Sequence, residues 1–125
     1  KEQTLKMSFN PDEFFCHSDG TILQGGFITT MLDASMAFLV MQLVDFKKVP
    51  LSIDVNVNFL SSGGPKLTIA VARINKIGKS IAFSSADLFQ DDELIATASS
   101  SIKLKDFESR NWIDDTIGKN VKIIR

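Results

Sequence analysis

The chain has 125 residues, the size of one ordinary domain with a single core. Its 44% hydrophobic and 23% charged residues exclude wholesale disorder, and a formal charge of −1 without a basic run argues against a nucleic-acid surface. One cysteine (Cys16) and one histidine (His17) cannot build a disulfide framework or a thiolate- or imidazole-rich zinc site. An oxidising compartment is therefore not implied, and no charged-then-apolar leader opens the sequence; the expectation is a cytoplasmic protein with one domain over residues 1–125.

No linker or repeat divides the chain. Residues 1–20 hold an alternating piece, Leu5, Met7 and Phe9, then an aromatic pair, Phe14-Phe15, which reads as a short strand and a loop. Asn10-Pro11-Asp12 and Ser18-Asp19-Gly20 are turn chemistry. Residues 26–44 form the longest apolar stretch, GFITTMLDASMAFLVMQLV, with apolar side chains on every face of a 3.6-residue wheel. Phe27, Met31, Ala34 and Phe38 line one stripe; Ile28, Leu32, Met36 and Leu39 line another. Such a helix is expected to be buried on most sides. Pro50 disfavours helix before it and closes the segment.

After Pro50 the period changes. Leu51-Ser-Ile-Asp-Val-Asn-Val-Asn-Phe59 alternates without a break, which predicts a strand with one covered face. A Gly/Ser/Pro turn at residues 61–65 precedes a β-branched run at residues 67–74, and Lys76-Ile77-Gly78-Lys79 suits a hairpin turn. Residues 80–90 and 94–105 give two more strands around the acidic turn Asp91-Asp92-Glu93. The short spacings favour an antiparallel meander. The tail, residues 106–125, is polar, carries Trp112, and has room for a short element at residues 121–124. The fold class is α+β: one buried helix inside a curled antiparallel sheet.

Asp33 is the one ionisable residue between Gly26 and Val44. Removing a carboxylate from water costs several kcal/mol of effective solvation unless it finds partners. It therefore faces a cavity open to water or ligand, or it is tied to a donor; backbone N–H groups or an arginine are the plainer solution. Upstream, Gln24-Gly25-Gly26 opens the helix, where the first N–H groups lack internal partners and the macrodipole is positive. Glycine lets a carbonyl approach that backbone, and such donors stabilise an oxyanion, although a lone Gly-Gly is more simply a tight turn. Gly25 and Asp33 lie roughly 12 Å apart along an ideal axis, too far for direct contact within one chain. Two antiparallel helices in a dimer would bring one copy's donor to the other's carboxylate.

Gly20-Thr-Ile-Leu-Gln24-Gly25-Gly26-Phe-Ile-Thr-Thr-Met-Leu-Asp33 resembles the motif of hotdog-fold acyl-CoA thioesterases, specifically the phenylacetyl-CoA-thioesterase-like group of the 4-hydroxybenzoyl-CoA thioesterase superfamily. The similarity runs on through Ser52 to Leu60, Ile77-Gly78-Lys79-Ser80 and Leu94-Ile-Ala-Thr-Ala98. It implies a hotdog fold, dimers joined sheet edge to sheet edge, often tetramers, and active sites at the dimer interface. It implies Asp33 as nucleophile or general base and Gly25 as the backbone donor to the thioester carbonyl. Gln24, where histidine is commoner, would orient substrate or water, and Ser52, from the partner chain, would position the attacking water. The loop position usually filled by asparagine falls near His17 or Ser18, one residue off the usual spacing. Acyl-CoA would be the substrate, with no separate cofactor, no metal, no nucleic acid and no membrane. Gly26, Lys66, Lys76 and Lys79 are candidates to meet the substrate, the lysines through its phosphates; solvated turn lysines and an idle loop histidine are the plainer readings.

Three alternatives compete. A hotdog module that binds acyl-CoA without hydrolysing it, as a sensor or structural subunit, would have no use for Asp33. A hotdog dehydratase would need a histidine in the helix region, and His17 precedes it. A membrane span over residues 26–44 would place Asp33 near the bilayer centre at a cost of roughly 2.5–3.5 kcal/mol.

Overall fold

The computed structural model describes residues 3–106; the element expected at residues 121–124 and Trp112 lie outside the described residues. Strand β1, Thr4–Phe9, follows the alternation, with Leu5, Met7 and Phe9 turned inward. Asn10-Pro11-Asp12 ends it, and Asp12 Oδ1 accepts from the Phe14 N–H at 2.8 Å to cap a 3₁₀ turn, Glu13–Phe15. A small hairpin follows, β2 (Cys16–His17) against β3 (Ile22–Leu23), its turn carrying Ser18, Asp19 and Gly20 at φ 55°, 58° and 75°.

Helix α1 spans Gly25–Leu43, one residue ahead of the predicted segment. It stops where Asp45 and Phe46 turn left-handed and the Phe46 N–H closes onto the Met41 carbonyl at 2.9 Å. The strands β4 (Lys48–Phe59), β5 (Thr68–Ile77), β6 (Ile81–Gln90) and β7 (Glu93–Asp106) follow. Asp91 and Asp92 both take positive φ, 50° and 64°, which is the two-residue hairpin geometry that matches strand twist.

The sheet order is β1-β5-β6-β7-β4, with every neighbouring pair antiparallel. The expected meander holds for β5, β6 and β7 only. β4 pairs with β7 at the far edge, because the connection over residues 60–67 crosses beside the helix start, where the Leu23 N–H binds the Gly63 carbonyl at 2.8 Å.

The inner face of the sheet is paved with small residues: Ala70, Ala72, Ala82, Ala86 and Ala96 have no exposed surface. Small side chains on the sheet let the large ones of the helix come close, and Leu32, Met36 and Val40 are fully buried against them. The stripe Ile28, Leu32, Met36, Leu39 is thus the core face of the helix. The other predicted stripe is covered only at Met31, while Phe27 and Phe38 stay 38% and 44% exposed. A five-stranded sheet covers one side of the helix, so the expectation of burial on most sides fails within one chain. The helix is long and apolar enough to cross a membrane by length and composition, and here its covered face builds the protein core.

Candidate active site

Gln24 is the N-cap of α1, and its side chain makes no capping bond. Its carbonyl takes the N–H groups of Phe27 and Ile28, and the Thr29 and Thr30 hydroxyls close onto the carbonyls of Gly25 and Gly26 at 2.9 and 3.0 Å. Among the described residues nothing accepts the N–H groups of Gly25 or Gly26, and the first turn holds no acidic side chain. The positive end of the helix dipole is left uncompensated and points at a cleft of about 410 Å³ lined by Leu23, Gly25, Phe59, Leu60, Ser61 and Ser62. A Cβ on Gly25 would stand 3.3 Å from the Phe59 ring, so glycine keeps this approach to the backbone open.

Eight residues on, Asp33 is half-buried, and its Oδ1 accepts a hydrogen bond from Ser52 Oγ at 2.6 Å. Strict alternation along Leu51, Ile53, Val55 and Val57 would turn Ser52 away from the helix. The β4–β7 register runs Val57↔Ala98, Val55↔Ser100, then jumps from Asp54↔Ser101 to Ser52↔Ile102. Ile53 is therefore an extra residue, a β-bulge. Past it the faces exchange: Ser52, itself exposed at the sheet edge, stands on the helix side opposite the fully buried Ile102, while Leu51 and Ile53 swing outward to 43% and 58% exposure. The unbroken covered face predicted for this strand is corrected by that one inserted residue. Within one chain Ser52 already reaches Asp33.

The helix is continuous between Gly25 and Asp33, so the donor and the carboxylate of one chain stay about 12 Å apart, as the spacing predicted. Gln24 and Gly26 flank Gly25 in the sequence and are exposed, with Gln24 Oε1 3.4 Å from where a Gly26 Cβ would be. His17 and Ser18 lie on the β2–β3 hairpin, exposed, with His17 Nδ1 2.9 Å from Ser18 Oγ. The lysines do not converge. Lys66 precedes β5 and pairs with Asp91 at 2.7 Å, whereas Lys79 follows the other end of that strand, where its carbonyl accepts from Lys48 Nζ at 3.0 Å. Lys76 lies near that same end of β5.

Sequence reasoning missed Phe59 as the wall opposite Gly25, the loop at residues 60–62, and Ile53. One signal was present: a role for Ser52 beside a helix carboxylate conflicts with its polar position in the alternation, and a one-residue insertion is the usual way to resolve such a conflict.

The sequence profile of the thioesterase superfamily matches residues 20–97, more than half of the chain, including both the Gly25 and the Asp33 segments. The chain belongs to the thioesterase superfamily. Among curated proteins none matches it. Among solved structures it is similar to a phenylacetic acid degradation-related protein from Ralstonia eutropha JMP134, at 26% identity and a TM-score of 0.76, over 81% of this chain and 76% of that one. A thioesterase family protein from Silicibacter pomeroyi aligns at 21% identity and a TM-score of 0.76, over 84% and 79% of the two chains. A Bacillus halodurans protein solved with CoA aligns at 19% and 0.73, over 79% and 66%. This thioesterase-superfamily chain has the hotdog fold of those relatives, one long helix held by a five-stranded antiparallel sheet.

Proposed function

We propose that the protein hydrolyses an acyl thioester of coenzyme A, or of an acyl carrier, to free acid and thiol in a site completed by a second copy of the chain. The observation that carries this reading is the Asp33–Ser52 pair, a lone carboxylate on an apolar helix, oriented by one hydroxyl and left open at the edge of the sheet. Ser52 holds Oδ1, and among the described residues Oδ2 accepts from nothing, so one oxygen is available to water or substrate. The CoA held by the Bacillus halodurans relative supports the choice of thiol.

The donor for the carbonyl comes from the other copy. β4 is a twelve-residue edge strand whose outer side has no partner strand among the described residues, and it bears exposed Leu51 and Ile53. A long apolar edge of this kind pairs readily with another strand. Two β4 strands can pair antiparallel only with inward residues facing inward residues. A two-fold axis at Asn56 meets that condition: Val55 faces Val57, Asp54 faces Asn58, and the bulge then lets Ser52 face Phe59. Because Ser52 lies beside Asp33 and Phe59 beside Gly25, this register sets one copy's carboxylate opposite the other's helix N-terminus.

In that arrangement the thioester carbonyl oxygen accepts from the Gly25 N–H of one copy, which stabilises charge as the carbonyl carbon is attacked. Asp33 of the other copy takes a proton from the attacking water, or attacks directly and leaves a mixed anhydride for water to open. Either way the C–S bond breaks, the sulfur leaves as thiolate and is protonated, and the acid is released. Gln24, the residue just before the helix start, orients substrate or water.

The test is free-thiol release from short, long and aromatic CoA thioesters. Wild type turns over at least one class, and Asp33→Asn loses at least a hundredfold in kcat while keeping its circular dichroism and oligomeric mass. Full activity in Asp33→Asn overturns the assignment. Binding of acyl-CoA by wild type without release makes the protein a non-catalytic carrier instead.

A further inference from the structure

We infer that Asp54 is a positioning residue that holds the Ile53 bulge and thereby turns Ser52 onto the Asp33 carboxylate; the inference deepens the hydrolytic reading and rests on it. Aspartate is disfavoured inside strands, so its presence in the middle of β4 asks for a local cause. A bulge leaves its extra residue unpaired and disrupts the ladder beside it, so something else must hold the two strands together there. Here Asp54 Oδ1 accepts the Ser101 N–H across the strand pair at 2.9 Å, and the Asp54 carbonyl accepts from Ser100 Oγ at 2.8 Å. The two bonds grip the residue just after the inserted one from both its side chain and its backbone. With that grip Ser52 pairs with Ile102 and faces the helix. A one-residue slip without it would send the Ser52 hydroxyl to the outer face and leave the Asp33 carboxylate without its donor.

The hydrogen bonds of Asp54 go to Ser100 and Ser101 on β7, so it acts on Asp33 through Ser52 alone. The experiment is a cycle of Ser52→Ala, Asp54→Ala and the double variant, with Asp54→Asn as the conservative control because its amide oxygen can still accept from the Ser101 N–H. Thiol release from the best CoA thioester and urea unfolding are both read. Ser52→Ala is expected to lower kcat about tenfold with KM unchanged, the scale of one hydrogen bond to a carboxylate. Asp54→Ala matches it, the double variant is no worse than either single one, and Asp54→Asn stays within about threefold of wild type. Multiplicative losses, a KM effect in place of a kcat effect, or Asp54→Asn as impaired as Asp54→Ala would overturn the inference.

The unfolding arm needs no turnover and separates the two failures. Ser52→Ala lowers the urea midpoint in the wild-type background and leaves it unmoved in the Asp54→Ala background if Asp54 sets the hydroxyl. Equal shifts in both backgrounds refute the positioning role even in an active enzyme. Inactivity of wild type on every thioester, with the unfolding cycle as described, refutes the hydrolytic reading and leaves the bulge clamp standing.

Discussion

Replacing Asn56 by cysteine, in a Cys16→Ser background, tests the assembly most directly. Asn56 is exposed on the outer side of β4, and in the register derived from inward-facing residues it lies on the two-fold axis, opposite itself. Directly facing residues in an antiparallel pair have Cα atoms about 4.5–5.5 Å apart, inside the roughly 4.4–6.8 Å window that a disulfide spans. A register shifted so that Val55 faces itself would move the two cysteines by two residues along the strands, about 6.8 Å, and separate their Cα atoms by about 8 Å. That exceeds the window. Asn58→Cys, on the same outer face, is the control, because its two copies would stand four residues apart, about 13 Å along the strands. Mild oxidation followed by non-reducing electrophoresis should give a covalent dimer with Asn56→Cys and little with Asn58→Cys. The locked dimer should keep its turnover. Efficient cross-linking through position 58, or none through position 56 in a protein that sediments as a dimer, would refute the register and with it the pairing of one copy's Asp33 with the other's Gly25.

Gly25→Ala keeps the backbone N–H but adds a Cβ 3.3 Å from the Phe59 ring; the ring is 56% exposed and can yield, so the melting temperature should hold within a few degrees while kcat/KM falls. Adding Phe59→Ala to that variant should recover part of the loss, and no recovery would show that Phe59 is not what limits the cleft. Phe38→Glu puts a charge on the open helix stripe, 44% exposed in the single chain; gel filtration should show dissociation if that stripe joins β4 in the subunit contact, and an unchanged mass would leave the contact to the β4 edge alone. Leu32→Ala empties a fully buried position under the sheet and should cost about 3 kcal/mol in urea unfolding; a loss below about 1 kcal/mol would mean that the core there collapses freely.

Most of the architecture is legible from periodicity. The apolar stretch that becomes α1 and the alternating runs that become β4 to β7 carry their periods openly, since each must cover one face with apolar side chains. The order of the strands is less legible. A short connection predicts adjacency, and it fails for β4 and β5 because a curled sheet brings its two ends near enough for residues 60–67 to cross. The open side of the helix is also hidden: Phe27 and Phe38 read as core residues, and nothing in their spacing says whether a sheet or another molecule covers them. At the site, Asp33 stands out because charge on an apolar helix is expensive. Gly25 is legible only with its neighbours, as a glycine at a helix start. The bulge leaves no mark in the alternation, because Ile53 fits the apolar pattern in either register.

That concealment follows from what the bulge does. A site on an edge strand has to satisfy two neighbours at once, the strand inside the sheet and, in the proposed dimer, the strand of the other copy. With strict alternation, Ser52 could face Asp33 only if Val55 and Val57 faced away from the core, and the apolar cost of that exchange would exceed the value of one hydrogen bond. One inserted residue removes the conflict: Val55 and Val57 stay inward, Ser52 turns to the helix side, and Leu51 and Ile53 turn to the outer face. The same insertion shifts the β4 register by one residue for any strand that pairs with its free side, which is what allows Ser52 to face Phe59 across a two-fold axis. A local irregularity thus sets the orientation of the carboxylate's partner and, in the proposed dimer, the alignment of the two copies. Deleting Ile53 should therefore disturb both together, leaving a folded sheet in which Asp33 has lost its hydroxyl and the second helix start has moved out of reach.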